Sequence, residues 1–202
     1  MNWLAHIFLA DGDVECRLGN MLADMVKRQD RIGMSASFMR GVRAHEAIDR
    51  FTDAHAIVRG SRARIAGYRL MKGILVDIFY DHFLAANWSQ ISTEPLEQFT
   101  ARTYADIRGY AARLPPQVQI AISRLVEEDW LTSYRTVDGI ETALRRLSMR
   151  LSARRGREFA LELAVSELVR NFDGLGKDFA EFFPLLRKSA RGSIGSPSQA
   201  AP

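Results

Sequence analysis

The chain has 202 residues, of which 47% are hydrophobic and 26% charged, and its formal net charge is +4. That length supports one sizeable core and one domain. The single cysteine, Cys16, excludes an intrachain disulfide and a soft thiolate metal site, and no apolar run approaches the roughly eighteen residues of a membrane span.

Apolar residues recur at helical spacing almost throughout, and no stretch alternates as a strand would. The start, MNWLAHIFLADGD, has no basic segment ahead of its apolar run and reads as a helix rather than a signal peptide, with Asn2 as its cap and a turn at Asp11-Gly12-Asp13. A second helix is expected over Val14 to Arg28. A third, capped by Ser35 or Ser37, should run to about Asp53. Further helices are expected over about 56–67 and 69–87, then a loop from Asn87 to Glu94. The remaining helices are expected near 95–113, 116–133, 136–153, 157–172 and 175–188, with Pro115-Pro116 separating two of them. The small, polar tail from Ser189 reads as disordered. The expected fold is all-α, one helical domain of nine or ten helices over residues 1–188.

Within LMKGILVDIFYDHFLAANW, residues 70–88, Asp77 and Asp81 fall on one stripe of an otherwise apolar helix. Two inward-facing carboxylates one turn apart raise each other's pKa and call for a positive partner: an arginine, a histidine or a metal ion. GVRAHEAIDRFTDAH repeats the theme, with His45, Asp49 and Asp53 at four-residue steps, and i, i+4 pairs readily present two metal ligands. His6, Asn20, Asp24 and His82 also lie in apolar or acid-containing segments. Mixed imidazole and carboxylate donors suit Mn, Fe, Zn or Mg, the oxygen-rich balance leaning to Mn or Mg. The same residues admit plainer roles. Asp77 and Asp81 could pair with core arginines, His45 with Asp49 could be a surface pair, Asp53 a helix-end acid, His6 a core histidine and Asn20 a turn residue. His55 reads as a cap, and Cys16 as a small buried residue.

Four segments together resemble the acyl carrier protein phosphodiesterase family: MNWLAHIFLA, LGNMLADMV, GVRAHEAIDRFTDAH and ILVDIFYDHFLAANW, with DWLTSYRTVDGIETAL further on. The lone Cys16 fits a reducing cytoplasm, and the resemblance implies an enzyme of fatty acid metabolism. It would cut the phosphodiester between 4′-phosphopantetheine and a serine of holo acyl carrier protein, leaving apo carrier and free 4′-phosphopantetheine. It also implies dependence on a divalent metal, Mn²⁺ first, with Mg²⁺ or Fe²⁺ as alternatives, and an HD-like fold distantly related to the HD-type phosphohydrolases. One departure stands out: the adjacent pair here is Asp81 then His82, the reverse of the HD order.

On that basis Asp24, His45, Asp49 and Asp81 are the expected metal ligands. Asp77 is expected to orient a ligand or the attacking water, and His82 or His6 to protonate the leaving serine oxygen. Asn20 and Asp53 are assigned to the substrate side of the site. Arg59, Arg62, Arg64 and Arg69, in a stretch without acids, are expected to dock the acidic carrier; RRLSMRLSARRGR, residues 145–157, is more basic still. No nucleic-acid-binding motif is evident and none is expected to function. Two other readings fit the same residues: an HD-like phosphohydrolase of a nucleotide or other small phosphodiester, and a non-enzymatic helical module that binds acidic proteins.

Overall fold

The computed structural model describes residues 1–194, and among these there is no strand. Twelve α-helices follow in chain order, joined by turns and four short 3₁₀ segments. They are α1 (Trp3–Leu9), α2 (Val14–Leu22), α3 (Ala36–Ala54), α4 (Ala56–Arg64), α5 (Lys72–Ala86), α6 (Trp88–Ile91), α7 (Leu96–Tyr110), α8 (Pro116–Glu127), α9 (Trp130–Ser133), α10 (Val137–Arg155), α11 (Val165–Arg170) and α12 (Phe172–Ile194). No described helix is long and apolar enough to cross a membrane.

The all-α expectation holds, and the count of α-helices rises from ten to twelve because one expected helix divides into α8 and α9 and an expected loop contains α6. The helix expected over 116–133 breaks at Asp129, which adopts a left-handed backbone with φ of 46°. Its carboxylate accepts the Tyr104 hydroxyl at 2.7 Å, and that hydroxyl accepts the Leu131 N–H at 2.9 Å, so a side-chain relay replaces the helical ladder. The helix expected over 157–172 divides into a 3₁₀ turn, Leu161–Ala164, and α11. The expected loop after Asn87 contains α6. The helix expected to reach Arg28 stops at Leu22. There the Arg31 guanidinium donates to the carbonyls of Ala23, at 2.7 Å, and Val26, at 3.0 Å, satisfying acceptors that the helix end leaves free. At the other terminus α12 continues to Ile194, past the expected end at 188, because Ala190 is packed into the core. The rest of the tail expected to be disordered lies outside the described residues.

Central to the fold is α5, apolar on every side and buried from Leu75 through Ala85 save for Asp77. It enters the core from an exposed start, Leu70 being 91% exposed. α12 packs against α3, α4 and α5. A buried relay ties these layers: the Tyr80 and Ser61 hydroxyls lie 2.8 Å apart, and Ser61 donates to Asp178 at 2.7 Å.

α2 and α3 cross in backbone contact. A Cβ on Gly19 would sit 2.1 Å from the Phe38 carbonyl oxygen, and one on Gly41 would sit 2.0 Å from the Cys16 oxygen. Only hydrogen side chains allow the two backbones to touch. Gly19 precedes Asn20, and Gly41 stands one turn before His45, so this crossing sets the distance between those residues. Gly41→Ala must push the helices apart against backbone atoms. It should cost about 3 kcal/mol of stability, read by urea denaturation. A loss below about 1 kcal/mol would contradict the crossing described here.

Candidate metal centre

Asn20 organises the site. Its side-chain oxygen lies 2.9 Å from His6 Nδ1, and its backbone oxygen lies 2.8 Å from His45 Nδ1. Both acceptors are carbonyls, which cannot donate, so both rings carry their proton on Nδ1. The rings stack with centroids 3.9 Å apart, and both Nε2 atoms turn to the same place. There His6 Nε2 meets Asp49 Oδ1 at 3.1 Å, and His45 Nε2 meets Asp49 Oδ2 at 3.1 Å and Asp24 Oδ1 at 3.4 Å. Ligand atoms of His6, His45 and Asp49 all lie within 4.8 Å of one another.

With Nδ1 protonated, a neutral ring points the Nε2 lone pair at carboxylate lone pairs. Something cationic must intervene, and protons do not fully serve. Burial holds His6 down at about 4, outweighing the nearby Asp49. Burial also pulls on His45, but the Asp24 and Asp49 carboxylates overcome it and raise that ring to about 9. One proton is thus accommodated and the other refused, since two stacked imidazolium ions repel. Even His45 Nε2, buried beside two acids, has no hydrogen bond of good geometry. A metal ion has no such directional demand. Burial opposes the Asp49 charge, yet His45, His6 and the Met1 ammonium hold its carboxyl far below the usual range. Asp24, lowered chiefly by His45, is the most open of the four, its side chain 81% exposed. Two imidazole nitrogens with two carboxylates, each ring oriented from behind by a carbonyl, fit a divalent cation.

Other residues fall elsewhere than expected. Asp24 stands in the turn after α2, not on a helix. Asp81, expected as a ligand, is absent from the group. Fully buried, it accepts the N–H groups of Leu4 at 2.8 Å and Ala5 at 3.1 Å, capping α1 from a distance. Asn2, expected as that cap, instead donates to the Tyr134 hydroxyl at 3.2 Å. His82, expected as a proton donor, sits in another environment: its Nδ1 lies 2.9 Å from the Tyr134 carbonyl, and Phe83 and Phe172 pack on its ring. Asp81 lies one turn beyond Asp77 on the same stripe of α5 and so meets the start of α1 rather than Asp49, while His82, about 100° further round, faces Tyr134.

Asp77 has as a positive partner the Met1 α-amino group, which the expectation of an arginine, a histidine or a metal ion between Asp77 and Asp81 did not include; it lies 3.2 Å from Asp77 Oδ1 and 3.3 Å from Asp49 Oδ1. Burial raises the Asp77 carboxyl, and that ammonium pulls it back. Asp77 therefore borders the site through this contact. Asp53 pairs with Arg62 outside it. Arg64 is bound to Asp178 at 2.8 Å, and Arg59 donates to the Ala54 carbonyl. Of the four arginines expected to dock a partner, Arg69 stands exposed beside Leu70 with no ion pair among the described residues. His55 caps α4, its Nδ1 accepting the Ile57 N–H at 3.3 Å, and Cys16 is buried, both as expected.

The family model for acyl carrier protein phosphodiesterase matches residues 1–186. The chain belongs to that family. Relatives named acyl carrier protein phosphodiesterase from Escherichia coli O45:K1 (strain S88), O127:H6 (strain E2348/69) and O6:K15:H31 (strain 536) are each 31% identical over 192 residues, covering 94% of this chain and 97% of theirs. No solved structure matches the chain. Family membership makes the chain a phosphodiesterase.

Sequence reasoning kept Asn20 on the substrate side and missed its role as anchor of both histidines. The available signal was its place beside Gly19. Asn20→Leu should free His6 while leaving the backbone contact to His45. A loss of divalent-metal affinity of about 10- to 100-fold is expected by calorimetric titration, and unchanged affinity would remove Asn20 from this role.

Proposed function

We propose that this protein is a metal-dependent hydrolase of holo acyl carrier protein, cutting the 4′-phosphopantetheine–serine phosphodiester to give apo carrier and 4′-phosphopantetheine. The observation that carries the metal is the pair of stacked imidazoles, both fixed as Nδ1–H, aimed at Asp49 and Asp24. The substrate rests on the family and on the names of its relatives. His6, His45, Asp49 and Asp24 would hold the cation. Mn²⁺ is the first choice and Fe²⁺ the next, because two imidazoles suit Mg²⁺ less well. When bound, such an ion supplies Lewis acidity, activating water near neutral pH and offsetting charge on the phosphoryl oxygens.

The chain's own residues do the rest. Asn20 holds both Nδ1–H groups and so turns both Nε2 atoms inward, where they would serve as ligands. Asp77, linked to Asp49 through the Met1 amine, maintains negative charge beside the ligand set. Asp24 leaves the approach from solvent open. The reading includes a cytoplasmic location and distant kinship to the HD phosphohydrolases.

For docking of an acidic carrier, this reading relies on Arg59 and Arg69 with the apolar Leu70. Arg62 and Arg64 are engaged with Asp53 and Asp178, so reversing their charge would also disturb the protein itself. Arg69→Glu should raise KM for holo carrier severalfold at low salt, with kcat kept and the difference fading as salt rises. An unchanged KM at low salt removes Arg69 from docking.

The deciding experiment is mass spectrometry of holo acyl carrier protein incubated with this protein and Mn²⁺, with and without chelator. Loss of the phosphopantetheine mass only in the chelator-free sample supports both reaction and metal. Bound metal without any mass change would favour a small phosphodiester as substrate instead.

A further inference from the structure

A second cavity lies on the side of the molecule where α1 and α5 meet α8 and α10. It is a cleft of about 620 Å³, in the range that holds small organic ligands. Its walls include Trp3, Ile78, Ile120 and Trp130, while Asn2, Gln117, Tyr134 and Thr142 place amide and hydroxyl groups among them. Trp3 and Trp130 stack at 5.5 Å with planes 2° apart.

The charge on this cleft is one-sided. Arg124, Arg145, Arg146 and Arg150 line it against one acid, Glu128. Arg146 is held by Glu128 and lies 4.4 Å over the Trp130 ring, and Arg145 is held by Glu141. Arg124 and Arg150 have no ion pair among the described residues. The cleft therefore offers an apolar, hydrogen-bonding body and unneutralised positive charge.

Three connections join it to the metal centre. Trp3 stands three residues before His6 on α1, and Ile78 follows Asp77 on α5. Arg150 lines the cleft while feeling the Asp24 carboxylate: burial and Arg154 lower its guanidinium, and Tyr134 and Asp24 act the other way.

We propose that this cleft receives the pantetheine arm of the substrate, with Arg150 meeting the phosphate end where cleft and metal centre adjoin. The inference rests on the phosphodiester reading above. An arm made of a phosphate, a dimethyl-bearing carbon and two amides finds each kind of partner among the cleft's lining: guanidinium, apolar wall, and amide and hydroxyl groups. It also gives a role to the basic stretch 145–157, which the metal centre does not use.

Two of the three tryptophans line the cleft, so the full-length protein reports on its own occupancy. Emission should change saturably on titration with pantetheine and with 4′-phosphopantetheine. Ala121→Phe, which fills the cleft from α8, should weaken both by about tenfold or more. Arg150→Gln should weaken 4′-phosphopantetheine by about tenfold and leave pantetheine unchanged. No saturable change with either compound overturns the proposal, and so does a response to AMP that pantetheine lacks. Equal losses of both compounds in Arg150→Gln would overturn the assignment of the phosphate end. Cleavage of holo carrier by the wild-type protein is read separately: if it is absent the phosphodiester reading fails, whereas cleavage without pantetheine binding sinks the cleft alone.

Discussion

Asp49→Ala should leave a folded protein that retains little divalent metal and has lost at least about 10³-fold in kcat/KM, or about 4 kcal/mol of transition-state stabilisation. Asp49 is the carboxylate that meets both rings, each of its oxygens facing one Nε2 at 3.1 Å. Without it the two nitrogens converge on no shared anion, and Asp24 reaches only His45. The fold should survive, because the Asp49 side chain is 36% exposed and the Met1 amine keeps Asp77 as a partner. Metal content by mass spectrometry, circular dichroism and kcat/KM on holo carrier check the three parts. Near-normal turnover in a folded Asp49→Ala protein would refute the centre.

Asp81→Ala is expected to act on the fold first. Its two oxygens satisfy the Leu4 and Ala5 N–H groups in a fully buried setting, at the positive end of the helix that carries His6. Removing it strands two buried donors and opens a cavity, a loss of about 3–5 kcal/mol, or roughly 6–20 °C in Tm for a chain of this size. Burial pushes the Asp81 carboxyl up to about 7, against the pull of those N–H groups. The folded chain thus keeps this proton to higher pH than the unfolded chain, where the ordinary value is 3.8. The resulting stability is fully present below that ordinary value and is lost as pH rises through about 7. Thermal melts from pH 4 to 8 should show that decline in the wild type and lack it in Asp81→Ala. A variant with wild-type Tm but no turnover would instead return Asp81 to the metal.

Both predictions concern acids that look alike in the sequence, and their divergence shows where pattern reading stops. Apolar periodicity identified α3, α5, α7 and α10 almost to their ends, because each buries one face or more over many turns. It overran at Leu22 and Asp129, where the chain is stopped by the Arg31 guanidinium and the Tyr104 hydroxyl, partners far along the chain or outside the helix.

The sequence by itself determined the helical class, the family and the pairing of His45 with Asp49, since each follows from local spacing or from motifs read along the chain. It also determined that buried acids would need a cation. Only the tertiary structure decided which acids face which cation. Side-chain direction on a helix is periodic, but what lies opposite is set by packing. Asp81 meets the start of α1, His82 meets Tyr134, and Asn20 meets both histidines because two glycines let α2 and α3 touch.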